Sequence, residues 1–93
     1  MYNAAHDKVA TEQIAVLREL AKIGEQLDLL IERAYKSIDD QVILQSYMDP
    51  ADREKASDFL RRTDPYRWIR LARDSLQQGV MFLHRSMEQP DRF

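Results

Sequence analysis

Residues 64–81 read DPYRWIRLARDSLQQGVM, and this stretch decides the fold class. Asp64 is a side-chain acceptor placed directly before Pro65, a residue suited to the first helical position, so the pair marks a helix start. Beyond it Ile69, Ala72, Leu76, Gly79, Val80, Leu83 and Met87 recur at helical spacing on one stripe, with Trp68, Leu71, Ser75 and Phe82 on a flanking one. The spacing predicts a helix over about 65–88, stopped by Pro90. Arg67, Arg70 and Arg73 fall three residues apart and line one side of its first turns. Positive charge is the wrong sign there, because unpaired N–H groups and the helix dipole favour anions at an N-terminus. Two things offset such repulsion equally well: a bound phosphate, or carboxylates of the protein's own surface.

Upstream, Asp49-Pro50 repeats the start signal and predicts a short helix over 49–62, polar except for Ala51, Ala56, Phe59 and Leu60. Val16, Leu20, Ile23, Leu27, Leu30 and Ala34 keep a four-three spacing and predict a long amphipathic helix over about 10–36. A second set, Ile14, Leu17, Ala21, Gly24 and Ile31, makes that helix apolar over more of its circumference than one partner covers, so it is expected to have a second neighbour. Ser37 to Met48 reads as a short connecting helix through Ile38, Val42, Ile43 and Leu44. Gly24 and Gly79 stand inside long helices, where glycine costs about 1 kcal/mol relative to alanine, and each is expected to permit close approach of another helix. The fold expected is all-α: one domain over 1–93, an antiparallel hairpin of two long helices joined by a 37–63 connection with one or two short helices, and oligomerising.

The size fits that expectation. A chain of 93 residues buries only about 60–65% of its unfolded surface, and small helical chains often complete their cores by association. No cysteine is present, which excludes disulfides, thiolate nucleophiles and cysteine-ligated zinc. Neither a basic-then-apolar leader nor a long apolar run occurs, so the expected setting is cytoplasmic, with no membrane partner. A net charge of −2 argues against general DNA or RNA binding. Charge is uneven, however: every arginine except Arg18 and Arg33 lies at or beyond Arg53, whereas Glu25 to Asp52 is mostly acidic and apolar. That asymmetry allows a compact anion site without a basic overall balance.

Chemistry of catalysis is poorly represented. His6 and His84 stand in no metal-binding helix pattern, and no glycine-rich phosphate loop exists, so no metal and no cofactor are expected. The acid pairs Asp39-Asp40 and Asp49/Asp52 read as solvated carboxylates rather than acid–base catalysts. His84 reads as a favourable partner for a helix C-terminus. The arginines have a plain reading too, with Arg70 pairing Asp74 and Arg61 or Arg62 pairing Asp58 as exposed ion pairs. Against it stands the aromatic company, for Tyr66 and Trp68 flank Arg67. Aromatic faces beside guanidinium groups hold bases and phosphates, and the same residue types anchor protein interfaces; the sequence leaves both open. Tyr2, Tyr35 and Tyr47 are further stacking candidates.

Arg67, Ala72, Gln77, Gly79, Met81 and Phe82 also form a spaced pattern: an arginine, an alanine five residues on, then an amide, a small residue, and a methionine followed by an aromatic. This pattern resembles the second hairpin helix of small phage proteins that act as sponges for immune signalling nucleotides, the anti-CBASS cyclic-oligonucleotide and anti-Thoeris cyclic ADP-ribose sponges. Trp68 replaces the glutamate of that pattern and Asp74 its threonine. The resemblance implies a homo-oligomer, often a hexamer, with nucleotide sites between protomers. On that reading the protein is not an enzyme; it sequesters a cyclic oligonucleotide or a cyclic ADP-ribose-type molecule and so counters a host antiphage defence. Arg67 is the first choice for phosphate, with Arg70, Arg73, Tyr66 and Trp68 as further ligand candidates. The alternative is a small helical inhibitor or interaction protein without a nucleotide ligand.

Overall fold

A computed structural model describes residues 4–89 of the chain. They form three helices, α1 (Ala4–Gln45), α2 (Pro50–Thr63) and α3 (Pro65–Glu88), and no strand occurs among the described residues. The all-α class follows from the near absence of helix breakers and from the capping chemistry at the two Asp-Pro pairs. Tyr2 and the stop at Pro90 lie outside the described residues.

The chain divides into two compact units. One gathers the chain up to Leu27 with that from Ser75 onward; the other is Asp28–Asp74. In the first unit α1 and α3 are joined by the side-chain amide of Gln13, whose Nε2 donates to the Met87 carbonyl at 3.4 Å. Leu20, 5% exposed, is the one buried apolar residue among those described. Val16, Leu17, Leu27, Val80 and Met87 are half-buried. In the second unit α1 meets α3 where Tyr35 and Asp39 approach Tyr66. Early α1 thus meets late α3 in one unit, and late α1 meets early α3 in the other. This is the hairpin-like pairing expected of two long helices.

Several boundaries differ from expectation. α1 begins at Ala4 rather than near residue 10 and runs without a break to Gln45, so there is no separate helix over 37–48. No glycine, proline or cap interrupts residues 37–45, and Lys36 Nζ holds Asp40 Oδ2 at 3.2 Å across one turn. The end of α1 tightens instead. Ser46, Tyr47 and Met48 donate their N–H groups three residues back, to the carbonyls of Ile43, Leu44 and Gln45 at 3.0, 3.1 and 3.1 Å. Arg53 on α2 reaches back to the same place, its Nε donating to the Gln45 carbonyl at 3.1 Å and Nη2 to the Met48 carbonyl at 3.0 Å.

The start of α2 is as expected: Asp49 is extended (φ −68°, ψ 163°), and its Oδ1 accepts from the Asp52 N–H at 2.9 Å, with Pro50 following. Asp64 plays a different part from the one its sequence suggests. It sits in the left-handed region (φ 47°, ψ 57°) and closes α2, its N–H donating to the Leu60 carbonyl at 2.9 Å. One residue therefore ends α2 and precedes α3.

The glycines also depart from the reading given to them. A side chain built at Gly24 or Gly79 meets nothing within 4 Å, so neither accommodates a neighbouring helix of the same chain. The apolar surplus of α1 is real: Ile14 and Ile23 in the first unit, and Leu29 and Leu30 in the second, remain exposed.

Candidate functional site

The residues singled out as ligand candidates lie on the first turns of α3, all within the second unit. Pro65 opens the helix, and the side chains of Arg67, Trp68 and Arg70 are exposed while Tyr66 and Arg73 are half-buried. The Arg67 guanidinium carbon stands 5.7 Å from the Trp68 ring centroid, within range of a cation–π contact worth about 0.5–1 kcal/mol when exposed. Trp68 itself is 61% exposed. The guanidinium thus lies over the indole ring, and both side chains are exposed to solvent.

The carboxylates around the arginines are arranged otherwise than the spacing suggests. Asp74 Oδ1 pairs with Arg73 Nε at 3.4 Å rather than with Arg70. An arginine four residues ahead of an acid is the weaker order of a helical pair, which removes the advantage of the longer span. Arg70 has no ion-pair partner among the described residues. Asp58 does pair with Arg61, as expected. Asp39 and Asp40, adjacent in sequence, part ways: Asp40 holds Lys36, and Asp39 Oδ1 accepts a hydrogen bond from the Tyr66 hydroxyl at 2.5 Å.

That last contact brings together residues separated by 27 positions. The Tyr66 ring also stacks on Tyr35, with centroids 6.2 Å apart and planes inclined by 24°. The hydrogen bond to the Asp39 carboxylate, then partial desolvation, then the nearby negative charge raise the Tyr66 hydroxyl above its ordinary pKa of 10.0. Asp39 also sets a carboxylate beside the first turn of α3, where the arginine series puts unfavourable positive charge. Tyr47, the other described stacking candidate, lies past the end of α1 and is 81% exposed.

Elsewhere, His84 Nδ1 lies 3.1 Å from Glu88 Oε1 in the last turns of α3. No group of three or more His, Asp or Glu side chains converges on a metal site among the described residues. A groove of about 500 Å³ in the first unit is lined by Gln77, Val80, Met81, His84, Arg85 and Glu88, and it includes none of the five candidate residues. No described helix is long and apolar enough to cross a membrane. No family model, curated protein or solved structure matches this chain.

Proposed function

We propose that this chain is a non-enzymatic binding protein that assembles with copies of itself and sequesters a cyclic oligonucleotide or cyclic ADP-ribose-type signalling molecule, countering a host antiphage defence. The observation that carries this reading is the exposed pairing of Arg67 with Trp68 at the start of α3. A guanidinium neutralises a phosphate and an indole face stacks on a base, and the two are held within one ligand's reach. Arg70, exposed and without an ion-pair partner among the described residues, adds a second cation on the same helix. Arg73 contributes less, being engaged with Asp74.

Assembly enters because these residues stand on an exposed helix face, and tight sequestration needs a second wall. A standard interface takes about 800 Å² from each partner, so contacts with other copies need exposed apolar area. Exposed Phe82 and Leu83 in the first unit, and Trp68, Leu71 and Phe59 in the second, would supply apolar area for them.

Calorimetric titration with cyclic di- and trinucleotides and with cyclic ADP-ribose isomers tests the reading. Binding of at least one, lost in Arg67→Ala, is expected; absence of binding to every member contradicts it. The same exposed Trp68 and Leu71 favour one alternative, a helical inhibitor that uses them as hot spots on another protein. A nucleotide absorbance that follows the protein through gel filtration separates the two in favour of sequestration.

A further inference from the structure

The first turn of α3 is weakly closed by its own backbone. Helix starts leave their first N–H groups without intrahelical partners, and an extended capping residue usually accepts one of them. Asp64 is not extended; it lies in the left-handed region as the close of α2. The Trp68 N–H reaches the Asp64 carbonyl only at 3.4 Å. Arg67 in this turn works against the helix dipole, and no acidic residue stands in the turn to offset it. Yet this turn carries Arg67 and Trp68, whose direction any ligand would depend on.

Tyr66, the residue just before them, is fixed twice to α1. Its hydroxyl donates to Asp39 Oδ1 at 2.5 Å and its ring lies against Tyr35. Both contacts fall within the second unit and join positions far apart in sequence, so they hold the turn against fraying where local bonding is poor. We infer that Tyr66 is a positioning residue, whose clasp on Asp39 and Tyr35 fixes the first turn of α3 and so sets where Arg67 and Trp68 point. Its hydroxyl and one ring face are occupied within the chain, which separates its role from that of a ligand contact. The consequence for ligand binding rests on the sequestration reading; the consequence for the geometry of the free protein does not.

The experiment uses the full chain, with Tyr66→Phe and Asp39→Asn made singly and together. In ligand-free protein, the Trp68 Nε1–H and Arg67 Nε–H resonances are followed by nuclear magnetic resonance, with helix content checked by circular dichroism. Both single variants are expected to move both resonances in the same direction with helix content unchanged, and the double variant to move them no further than either single. Lys36→Ala, which removes only the pair with Asp40, is the control expected to leave them in place. Unmoved resonances in both single variants, or shifts that add in the double variant, overturn the inference. Should a variant lose its helix signal, the wild-type protein still decides: ring-to-ring Overhauser contacts between Tyr35 and Tyr66 are required, and their absence overturns it. With cyclic di-AMP and cyclic tri-AMP as probes, Tyr66→Phe is expected to weaken whichever binds by about fivefold, as for one lost hydrogen bond. Unchanged affinity for a probe that the wild type binds contradicts the inference. Failure of the wild type to bind either probe counts against sequestration and leaves the ligand-free result standing.

Discussion

The Tyr66 hydroxyl donates to Asp39 Oδ1 across 27 residues of sequence, linking the start of α3 to the last turns of α1. The bond needs a protonated phenol, and its effect on stability has a definite sign. Tyr66 titrates above its ordinary value of 10.0 in the folded chain, so the neutral form is favoured by folding. Its contribution is fully present below pH 10.0 and is lost as pH rises through the folded-state value. The difference between the 295 nm absorbance titrations of wild type and Tyr66→Phe should have its midpoint above 10.0; a midpoint at or below 10.0 contradicts the contact.

Arg53 closes the C-terminal end of α1 from the first turn of α2, donating to the carbonyls of Gln45 and Met48. These carbonyls have few other partners at a helix end. Arg53→Met, which keeps the stem but not the donors, should lose about 1 kcal/mol and lower the melting temperature by roughly 4–8 °C. A melting curve that superimposes on the wild type shows the bonds contribute nothing.

Asp49 caps α2 through its side chain. Asp49→Ala should cost about 1 kcal/mol, and Asp49→Ser, which retains an acceptor, only a small part of that. Equal losses in chemical denaturation would assign the effect to charge rather than to the cap.

Gly79 gives a test of assembly that does not depend on any ligand. Alanine there meets nothing within 4 Å and is the better helix former by about 1 kcal/mol, so Gly79→Ala should stabilise the protomer. If copies pack closely over this exposed position, the same change weakens their association. The expected outcome is a raised unfolding midpoint at low concentration together with a smaller mass by analytical ultracentrifugation; an unchanged assembly removes Gly79 from the interface.

How much of this was legible in sequence depends on the range of the physics involved. Asp49-Pro50 could be read directly, because a cap acts on a backbone N–H three residues away. The all-α class followed similarly from spacing and from the scarcity of breakers. The continuity of α1 through Ser37, Asp39 and Asp40 was hidden, since these residues are poor helix formers individually, while the Lys36–Asp40 pair and the contact of Asp39 with Tyr66 support the helix there. At Asp64 the motif was right about the position of a helix start and wrong about the residue's conformation, because ending α2 competes with capping α3. For the glycines the local cost was readable, but not what they face. At the candidate site Arg67 beside Trp68 was visible as a sequence neighbour pair, whereas Asp39 carries no local signal that would assign it to Tyr66.

On the proposed function, copies of this chain together hold a signalling nucleotide through Arg67. Native mass spectrometry after incubation with the cyclic-nucleotide and cyclic ADP-ribose panel tests it most directly. The predicted spectrum shows a multiple of the 11.0 kDa chain mass carrying retained nucleotide, with the nucleotide absent from Arg67→Ala at the same subunit count. A single chain without bound nucleotide, whichever member of the panel is offered, would contradict the account.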